Sequence, residues 1–196
     1  GYHGCPDRKS IEKFIDKEHL WPISDNEQWI LHSSDQKGCA DRVELMNNQI
    51  YQLFGEYPDN LDDFCTASQI SQAEAMKFFI EHARIKYPIC TGIIWWNLLD
   101  GWPQMSDAAV DYYFEKKLAY YYIRNIQTPV ILAFDEPNSW TTELHMINNS
   151  NTACDAAYTV TDLDTGAELC SGKATVNPGE NIVIEKIPVM YSDCRM

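Results

Sequence analysis

Apolar residues recur at helical spacing in three parts of the chain, each beside residues that often begin or end helices. The first pattern covers 41–54 and is followed by Gly55, where a C-terminal glycine cap is common. The second has a capping-box pattern at Ser71 and ends before Pro88. The third covers 107–125 and is rich in aromatic residues. These patterns predict three helices.

An uninterrupted apolar run, Ile89 to Leu99, lies between the second and third predicted helices. It lacks polar–apolar alternation, so we expect a strand that is covered on both faces. The order helix, buried strand, helix is that of a parallel α/β unit, in which the loop after the strand carries function. Residues 93–103 are therefore where we look for a functional site.

Short segments with strand composition follow Pro129, and turn residues separate them. Five strands are predicted, at 130–134, 141–147, 156–161, 167–176 and 182–187. Their even spacing indicates an antiparallel β-sandwich, and an immunoglobulin-like domain usually has about seven strands or more. The sandwich is therefore expected to be incomplete, and we place the domain boundary between residues 128 and 129.

The chain carries 15 Lys and Arg against 29 Asp and Glu in 196 residues, a net charge of −14. This acidic balance argues against binding to nucleic acid or to an anionic membrane, since both need a basic surface. No apolar run approaches the roughly 20 residues of a membrane-spanning helix. The chain begins at Gly1 without a signal-peptide pattern, so we expect a processed product or a piece of a longer protein.

Seven cysteines are scattered along the chain, and no two of them form a CxxC pair. A zinc site therefore has weak support, and we expect neither a metal nor a cofactor. Reduced thiols packed as small hydrophobic side chains are the simplest interpretation. They favour a reducing compartment, here the cytoplasm, while some disulfide pairing and a secreted or periplasmic location remain alternatives.

Residues 92–103 combine indoles, an amide and a carboxylate at the C-terminal end of the predicted strand. An aromatic face can stack on the apolar side of a pyranose, and amides and carboxylates bond its hydroxyls. Trp96, Asn97 and Asp100 are therefore candidate sugar-binding residues. The alternative is that the tryptophans of this segment only fill a core.

This segment resembles the last barrel strand of glycoside hydrolase family 2, which includes β-galactosidases, β-glucuronidases and β-mannosidases. The family pattern of glycine, apolar residues, tryptophan, amide, aspartate and Trp-Pro matches Gly92, Trp96, Asn97, Asp100 and Trp102-Pro103. Residues 111–121 resemble the family's final barrel helix, and Pro129-Val130 resembles the start of its immunoglobulin-like domain. Trp96 would stack on the sugar at the cleavage point, with Asn97 and Asp100 orienting hydroxyls or carboxylates.

The N-terminal segment Gly1–Pro6 is similar to the segment after the catalytic nucleophile in β-mannosidase-like members. The resemblance implies that the nucleophilic glutamate lies two residues before Gly1 and that the acid/base glutamate lies on an earlier strand. No glutamate of this sequence matches either position, so we expect no catalytic residue in this chain. The resemblance places His3 at the rim of the sugar pocket, as a further substrate-binding residue, and makes His32 a candidate for lining it.

The resemblance implies an α/β plus all-β fold. Residues 1–128 would be the terminal part of a (β/α)8 TIM barrel, and residues 129–196 an incomplete immunoglobulin-like β-sandwich. The longer protein would be a retaining, exo-acting β-glycosidase that hydrolyses terminal β-linked sugars. A β-mannosidase-like enzyme is favoured over a β-galactosidase or β-glucuronidase.

The expected partners are a glycoside or oligosaccharide substrate and the remainder of the polypeptide. The chain by itself is expected to be inactive and to expose large apolar patches. A rival interpretation from another class is a non-catalytic carbohydrate-binding or interaction module. The predicted sandwich offers few aromatic residues for such a role, essentially Trp140, Tyr158 and Tyr191.

Overall fold

The computed structural model describes residues 1–34 and 42–189, and it divides the chain into two compact units. The first unit contains residues 1–79 and 94–125, and the second contains residues 80–93 and those from Ile126 onward. Among the described residues, no helix is long and apolar enough to cross a membrane. The boundary between residues 128 and 129 stays a prediction about domain organisation.

Most regular structure before residue 127 is helical. The α-helices are α1 (Arg8–Ile11), α2 (Glu27–Leu31), α3 (Arg42–Phe54), α4 (Leu61–Ile85) and α5 (Leu118–Ile126), with a short 3-10 helix at Lys17–His19. The first unit has a hydrophobic core that includes Ile11, Trp29, Met46 and Phe64. Burial of these apolar side chains is the main force that holds such short helices together.

Helix α3 confirms the first predicted pattern. Val43, Met46 and Ile50 repeat at helical spacing, and all three are buried. Gly55 follows the helix with a φ of 78°, which is the left-handed conformation that a glycine adopts without a steric penalty. Its backbone nitrogen donates to the oxygen of Tyr51 at 2.8 Å, and this bond closes the last turn.

Helix α4 begins eleven residues earlier than the capping-box pattern predicts. It starts at Leu61, because Asn60 Oδ1 accepts a hydrogen bond from the backbone nitrogen of Asp63 at 2.9 Å. Ser71 therefore lies inside the helix, where it is buried, and its predicted capping role is wrong.

Helix α5 is shorter than the third pattern predicts, since it begins only at Leu118. Upstream, Asp111 Oδ1 accepts hydrogen bonds from the backbone nitrogens of Tyr113 at 2.8 Å and Glu115 at 2.9 Å. A short acidic side chain that bonds its own following backbone competes with helix formation. Residues 107–117 are consequently irregular.

The buried strand predicted at 89–99 is wrong. The structure shows turns and irregular backbone there, with an isolated parallel bridge between Leu99 and Val110. The side chain of Ile94 is 95% exposed. A strand covered on both faces needs hydrogen-bonded neighbours on each side, but the described residues supply backbone partners to 97–100 only from 109–110. The (β/α)8 barrel is therefore not seen in this structure.

The second unit contains the five predicted strands. They are β1 (Val130–Phe134), β2 (Thr141–Asn148), β3 (Cys154–Thr161), β4 (Glu168–Val176) and β5 (Asn181–Pro188). The strands form an antiparallel sheet in the order β1-β2-β5 and a separate β3-β4 pair. The first sheet packs Ile131, Ala133 and Ile147 against Ile85 at the end of α4.

Arg84 connects several segments of this second unit. Its guanidinium donates to the backbone oxygens of Thr128 at 2.8 Å and Pro129 at 3.1 Å, and to Asn149 Oδ1 at 2.7 Å. Burial lowers the pKa of the Arg84 guanidinium, and the charge of Glu81 opposes this shift. These bonds hold the chain before β1 and the turn after β2 to the end of α4.

The cysteines at positions 5, 65, 90, 154 and 170 are free thiols. Cys5 and Cys65 are buried, as small hydrophobic side chains commonly are. Cys39 and Cys194 lie outside the residues that the structure describes. The cytoplasmic location stays a prediction.

Candidate functional site

Asp100 is a buried carboxylate with two side-chain hydrogen-bond donors. Its Oδ1 accepts from Ser106 Oγ at 2.6 Å and from Gln104 Nε2 at 2.7 Å. The backbone nitrogen of Asp100 donates to the oxygen of Val110 at 3.1 Å, which fixes the turn that carries it. Burial raises the pKa of the Asp100 carboxyl, while the positive charge of Lys117 acts in the opposite direction.

Lys117 supplies the buried cation beside this carboxylate. Its side chain is 1% exposed, and Nζ lies 3.9 Å from Asp100 Oδ2. Nζ also donates to the backbone oxygen of Ser106 at 3.3 Å. Burial lowers the pKa of the Lys117 ammonium, and the charge of Asp100 opposes that shift. Each ion therefore offsets part of the desolvation cost of the other.

The carboxylate is linked to a surface indole through Gln104. Trp102 Nε1 donates to Gln104 Oε1 at 2.6 Å, and the amide nitrogen of Gln104 donates onward to Asp100 Oδ1. The ring of His32 stacks on Trp102, with centroids 5.1 Å apart and planes inclined by 26°. His32 Nδ1 lies 2.7 Å from the oxygen of Pro103. Trp102 and His32 thus form a surface platform anchored to a buried carboxylate.

Trp96 and Asn97 differ from Asp100 in exposure. Trp96 is 75% exposed, so most of its indole is free to stack on a ligand. The peptide bond between Trp96 and Asn97 is cis. Asn97 Oδ1 is buried and has no hydrogen-bond partner among the described residues. The open indole of Trp96 suits stacking on a sugar ring, whereas Asn97 Oδ1 has no accessible surface from which to meet a hydroxyl.

His3 is buried, which differs from the expected position at a pocket rim. Burial, with the charge of Arg42, lowers the pKa of the imidazole to about 4, so His3 is neutral at neutral pH. Its Nδ1 lies 3.2 Å from the oxygen of Gly1, which indicates that Nδ1 carries the proton. The positive charge of Lys117 also lowers the pKa of His3.

The structure relates His3 and Asp100 through the charge of Lys117, which affects the pKa of both. In the ranges 1–34 and 42–189, no hydrogen bond joins these two residues to each other or to Trp96. Their assignment to substrate binding stays a prediction. Gln104 and Lys117 were missed as site residues, because the burial of a single lysine or glutamine leaves no periodic signal in the sequence.

No protein-family model matches this chain. Individual relatives do match. An exo-β-D-glucosaminidase of Arthroderma benhamiae is 26% identical over 165 residues, which are 82% of this chain and 18% of that enzyme. β-Mannosidase B of Aspergillus niger is 33% identical over 134 residues, which are 66% of this chain and 15% of that enzyme. The predicted resemblance to glycoside hydrolase family 2 is confirmed.

Solved structures of family 2 enzymes share the fold of this chain. A β-D-mannosidase from Dictyoglomus thermophilum matches 96% of the chain with a TM-score of 0.80 and 21% identity. The exo-chitosanase CsxA of Amycolatopsis orientalis matches 95% with a TM-score of 0.75 and 20% identity. The chain spans 23% of the length of each of these proteins. It is thus similar to less than a quarter of a family 2 enzyme.

Proposed function

We propose that this chain is the C-terminal portion of a retaining, exo-acting β-glycosidase, of the β-mannosidase-like group. The observation that carries the proposal is the similarity to β-mannosidase B and exo-β-D-glucosaminidase. The substrate class is a glycoside or oligosaccharide with a terminal β-linked sugar. The chain would contribute sugar-binding groups rather than the reacting carboxylates.

The roles of its residues follow from their exposure and contacts. The open indole of Trp96 would stack on the sugar ring. Asn97 Oδ1 is buried, so its side chain would have to turn outward to accept a hydroxyl hydrogen. Asp100 would act from the buried side, by orienting the Trp102 indole through Gln104. His3 is buried and neutral, so it would contribute no charge to sugar binding.

Retaining hydrolysis requires two carboxyl groups roughly 5 Å apart, one as nucleophile and one as acid and base. No glutamate of this sequence matches either role. We therefore propose that both glutamates belong to the remainder of a longer polypeptide, and that this remainder is the partner of the present chain. It would also cover exposed apolar side chains such as Ile94 and Leu98.

The test uses the full polypeptide that carries this sequence, with aryl β-mannoside as substrate. Trp96→Ala should lower kcat/KM by about two orders of magnitude, roughly 2–3 kcal/mol of transition-state stabilisation. Trp140→Ala is the matched control, since Trp140 is also an exposed tryptophan but lies in the second unit. A folded Trp96→Ala enzyme with normal kinetics would reject the site, and absence of glycosidase activity in the parent would reject the function.

A second substrate class is a terminal β-glucosaminide. The exo-β-D-glucosaminidase of A. benhamiae matches 82% of this chain, against 66% for β-mannosidase B. The kcat/KM for aryl β-mannoside, divided by the kcat/KM for aryl β-glucosaminide, decides between the two classes. A ratio above one supports the mannosidase proposal, and a ratio below one replaces it with the glucosaminidase.

A further inference from the structure

Two buried cysteines of the first unit belong to the same hydrophobic core. Cys5 lies in the N-terminal segment, and Cys65 lies near the start of α4. Cys5 is 0% exposed and Cys65 is 5% exposed. Neither thiol has a role in the candidate site. They are therefore a pair of reactive groups from distant parts of the sequence that the fold places in one cluster.

The backbone at Cys5 is fixed to α4 by hydrogen bonds. The backbone nitrogen of Cys5 donates to Ser68 Oγ at 3.0 Å. Ser68 Oγ itself donates to the backbone oxygen of Cys65 at 3.0 Å. Gln69 Nε2 donates to the backbone oxygen of Cys5, also at 3.0 Å. The hydroxyl of Ser68 is thus bonded to both cysteines, which sets the position of one relative to the other.

The N-terminal segment also approaches α4 closely beside this pair. Gly4 packs against Gln72, and a Cβ atom at Gly4 would overlap Gln72 Oε1. Such an approach is open to a glycine because it has no side chain. The segment therefore lies directly on the helix, and Cys5 is held against it.

The two thiols interact with each other. Burial raises the pKa of the Cys5 thiol, and a side-chain hydrogen bond with Cys65 raises it further, while the positive charge of Lys117 opposes the shift. A sulfur–sulfur bond requires side chains that are directed towards each other across a short distance. A hydrogen bond between two thiols meets this requirement. Cys65 is the more exposed of the two, so it is the thiol that a small oxidant reaches first.

We propose that Cys5 and Cys65 are a latent disulfide, which a small-molecule disulfide such as oxidised glutathione converts into a covalent link between the N-terminal segment and α4. The Cys65 thiolate attacks oxidised glutathione, forms a mixed disulfide and releases one glutathione. The deprotonated sulfur of Cys5 then attacks Cys65 and releases the second glutathione. The two cysteines are oxidised, oxidised glutathione is reduced, and the protons of the two thiols end on the two released glutathione molecules.

The link has consequences for stability and for the effect of the surroundings. It would close a loop of about 60 residues and so restrict the unfolded chain more than the folded one. The bond would form in an oxidising compartment and stay open in a reducing one. The inference concerns the covalent state of the chain, and it does not depend on the proposed hydrolysis.

The experiment equilibrates the full polypeptide that carries this sequence with oxidised and reduced glutathione at a series of ratios. Remaining thiols are alkylated, the protein is digested without reduction, and linked peptides are identified by mass. The peptide with Cys5 joined to the peptide with Cys65 should be the most abundant linked pair. Mixed disulfides at the half-buried thiols of Cys90, Cys154 and Cys170 show that the oxidant reaches the protein.

Variants test what the link does to the N-terminal segment. In the oxidised native sequence, hydrogen exchange of the amides in residues 2–10 should be roughly tenfold or more slower than in the reduced form. Cys65→Ala and, independently, Cys5→Ala should each abolish the linked peptide and this difference. Cys90→Ala removes a thiol of the second unit and is the matched control, so it should retain both.

Three results would overturn the proposal. They are absence of the Cys5–Cys65 peptide while other thiols are oxidised, pairing of Cys5 with other cysteines as often as with Cys65, or equal exchange rates in the oxidised and reduced forms. Glycosidase activity is not among these criteria. The latent disulfide can therefore fail while the proposed function holds, and the proposed function can fail while the disulfide forms as expected.

Discussion

In two adjacent stretches of the first unit, apolar side chains are exposed and charged side chains are buried, which is the reverse of the usual distribution. Residues 94–99 are mostly apolar, yet Ile94 and Leu98 are exposed. Asp100 follows directly, is charged, and is buried together with Lys117. The difference shows that burial depends on available partners more than on polarity alone. The carboxylate has hydrogen-bond donors and a cation, whereas the apolar stretch has backbone hydrogen bonds, among the described residues, only with 109–110.

The substitution with the largest expected effect on the free energy of unfolding removes the buried cation. Lys117→Met should lower the free energy of unfolding by about 3–5 kcal/mol, because it leaves the Asp100 carboxylate buried without a counter-charge. Urea denaturation of the full polypeptide measures the loss. Lys17→Met, at an exposed position, should have little effect. Adding Asp100→Asn to Lys117→Met should recover part of the loss, and a loss below about 1 kcal/mol would show that the pair is unimportant.

The second test titrates the buried imidazole. The folded-state pKa of His3 is lowered to about 4 from 6.5, so neutral His3 contributes stability above pH 6.5 that is lost as the pH falls through about 4. The contribution corresponds to about 3 kcal/mol. Unfolding free energies measured between these pH values should therefore fall more steeply for the native sequence than for His3→Gln. Parallel pH profiles would contradict the burial of a neutral His3.

A smaller effect is expected at Ser106. Ser106→Ala removes the 2.6 Å hydrogen bond to Asp100 Oδ1 and also the acceptor of the backbone nitrogen of Ala108. The loss should be about 1–3 kcal/mol, since Gln104 and Lys117 still stabilise the carboxylate. Chemical denaturation again provides the measurement, and Ser139→Ala serves as an exposed control. A larger loss than for Lys117→Met would reverse the ranking of the two contacts.

The smallest effect on stability is expected in the apolar stretch. Ile94→Ser with Leu98→Ser should change the unfolding free energy of the isolated 1–196 chain by no more than about 0.5 kcal/mol per site, because both side chains are exposed. The two substitutions should instead reduce self-association of the chain. We expect the native 1–196 chain to form oligomers in size-exclusion chromatography and the variant to form fewer. A native chain that elutes as a monodisperse monomer would contradict this expectation.

Local signals in the sequence predicted local structure well. Helix α3 and strands β1 to β5 depend on periodicity and turn residues within each segment, and both are visible in the sequence. The start of α4 was missed because its N-cap, Asn60, lies before the capping-box pattern at Ser71, on which the prediction was based. Helix α5 was overextended because the bonds from Asp111 to its own following backbone were not foreseen.

Non-local relations were harder to predict. A strand at 89–99 requires neighbours that are distant in sequence, so its apolar composition alone could not establish it. Trp96, Asn97 and Asp100 were selected from the chemistry of their segment together with the family resemblance, while Lys117 and Gln104 are recognised only once the fold brings them beside Asp100. The alternative of a non-catalytic binding module stays a prediction: the Tyr158 hydroxyl donates to Glu185 at 2.7 Å, Trp140 is exposed, and Tyr191 lies outside the described residues.

The connection from Trp102 through Gln104 to Asp100 and Lys117 has an optical consequence. An indole that donates a hydrogen bond emits at a wavelength that depends on the field around its nitrogen. Trp102 is partly exposed, but its nitrogen is tied by two successive hydrogen bonds to a carboxylate that solvent does not reach. Because the chain has six tryptophans, the signal of Trp102 has to be isolated as the difference between the native sequence and Trp102→Phe, and this difference should shift when the charge at Asp100 changes.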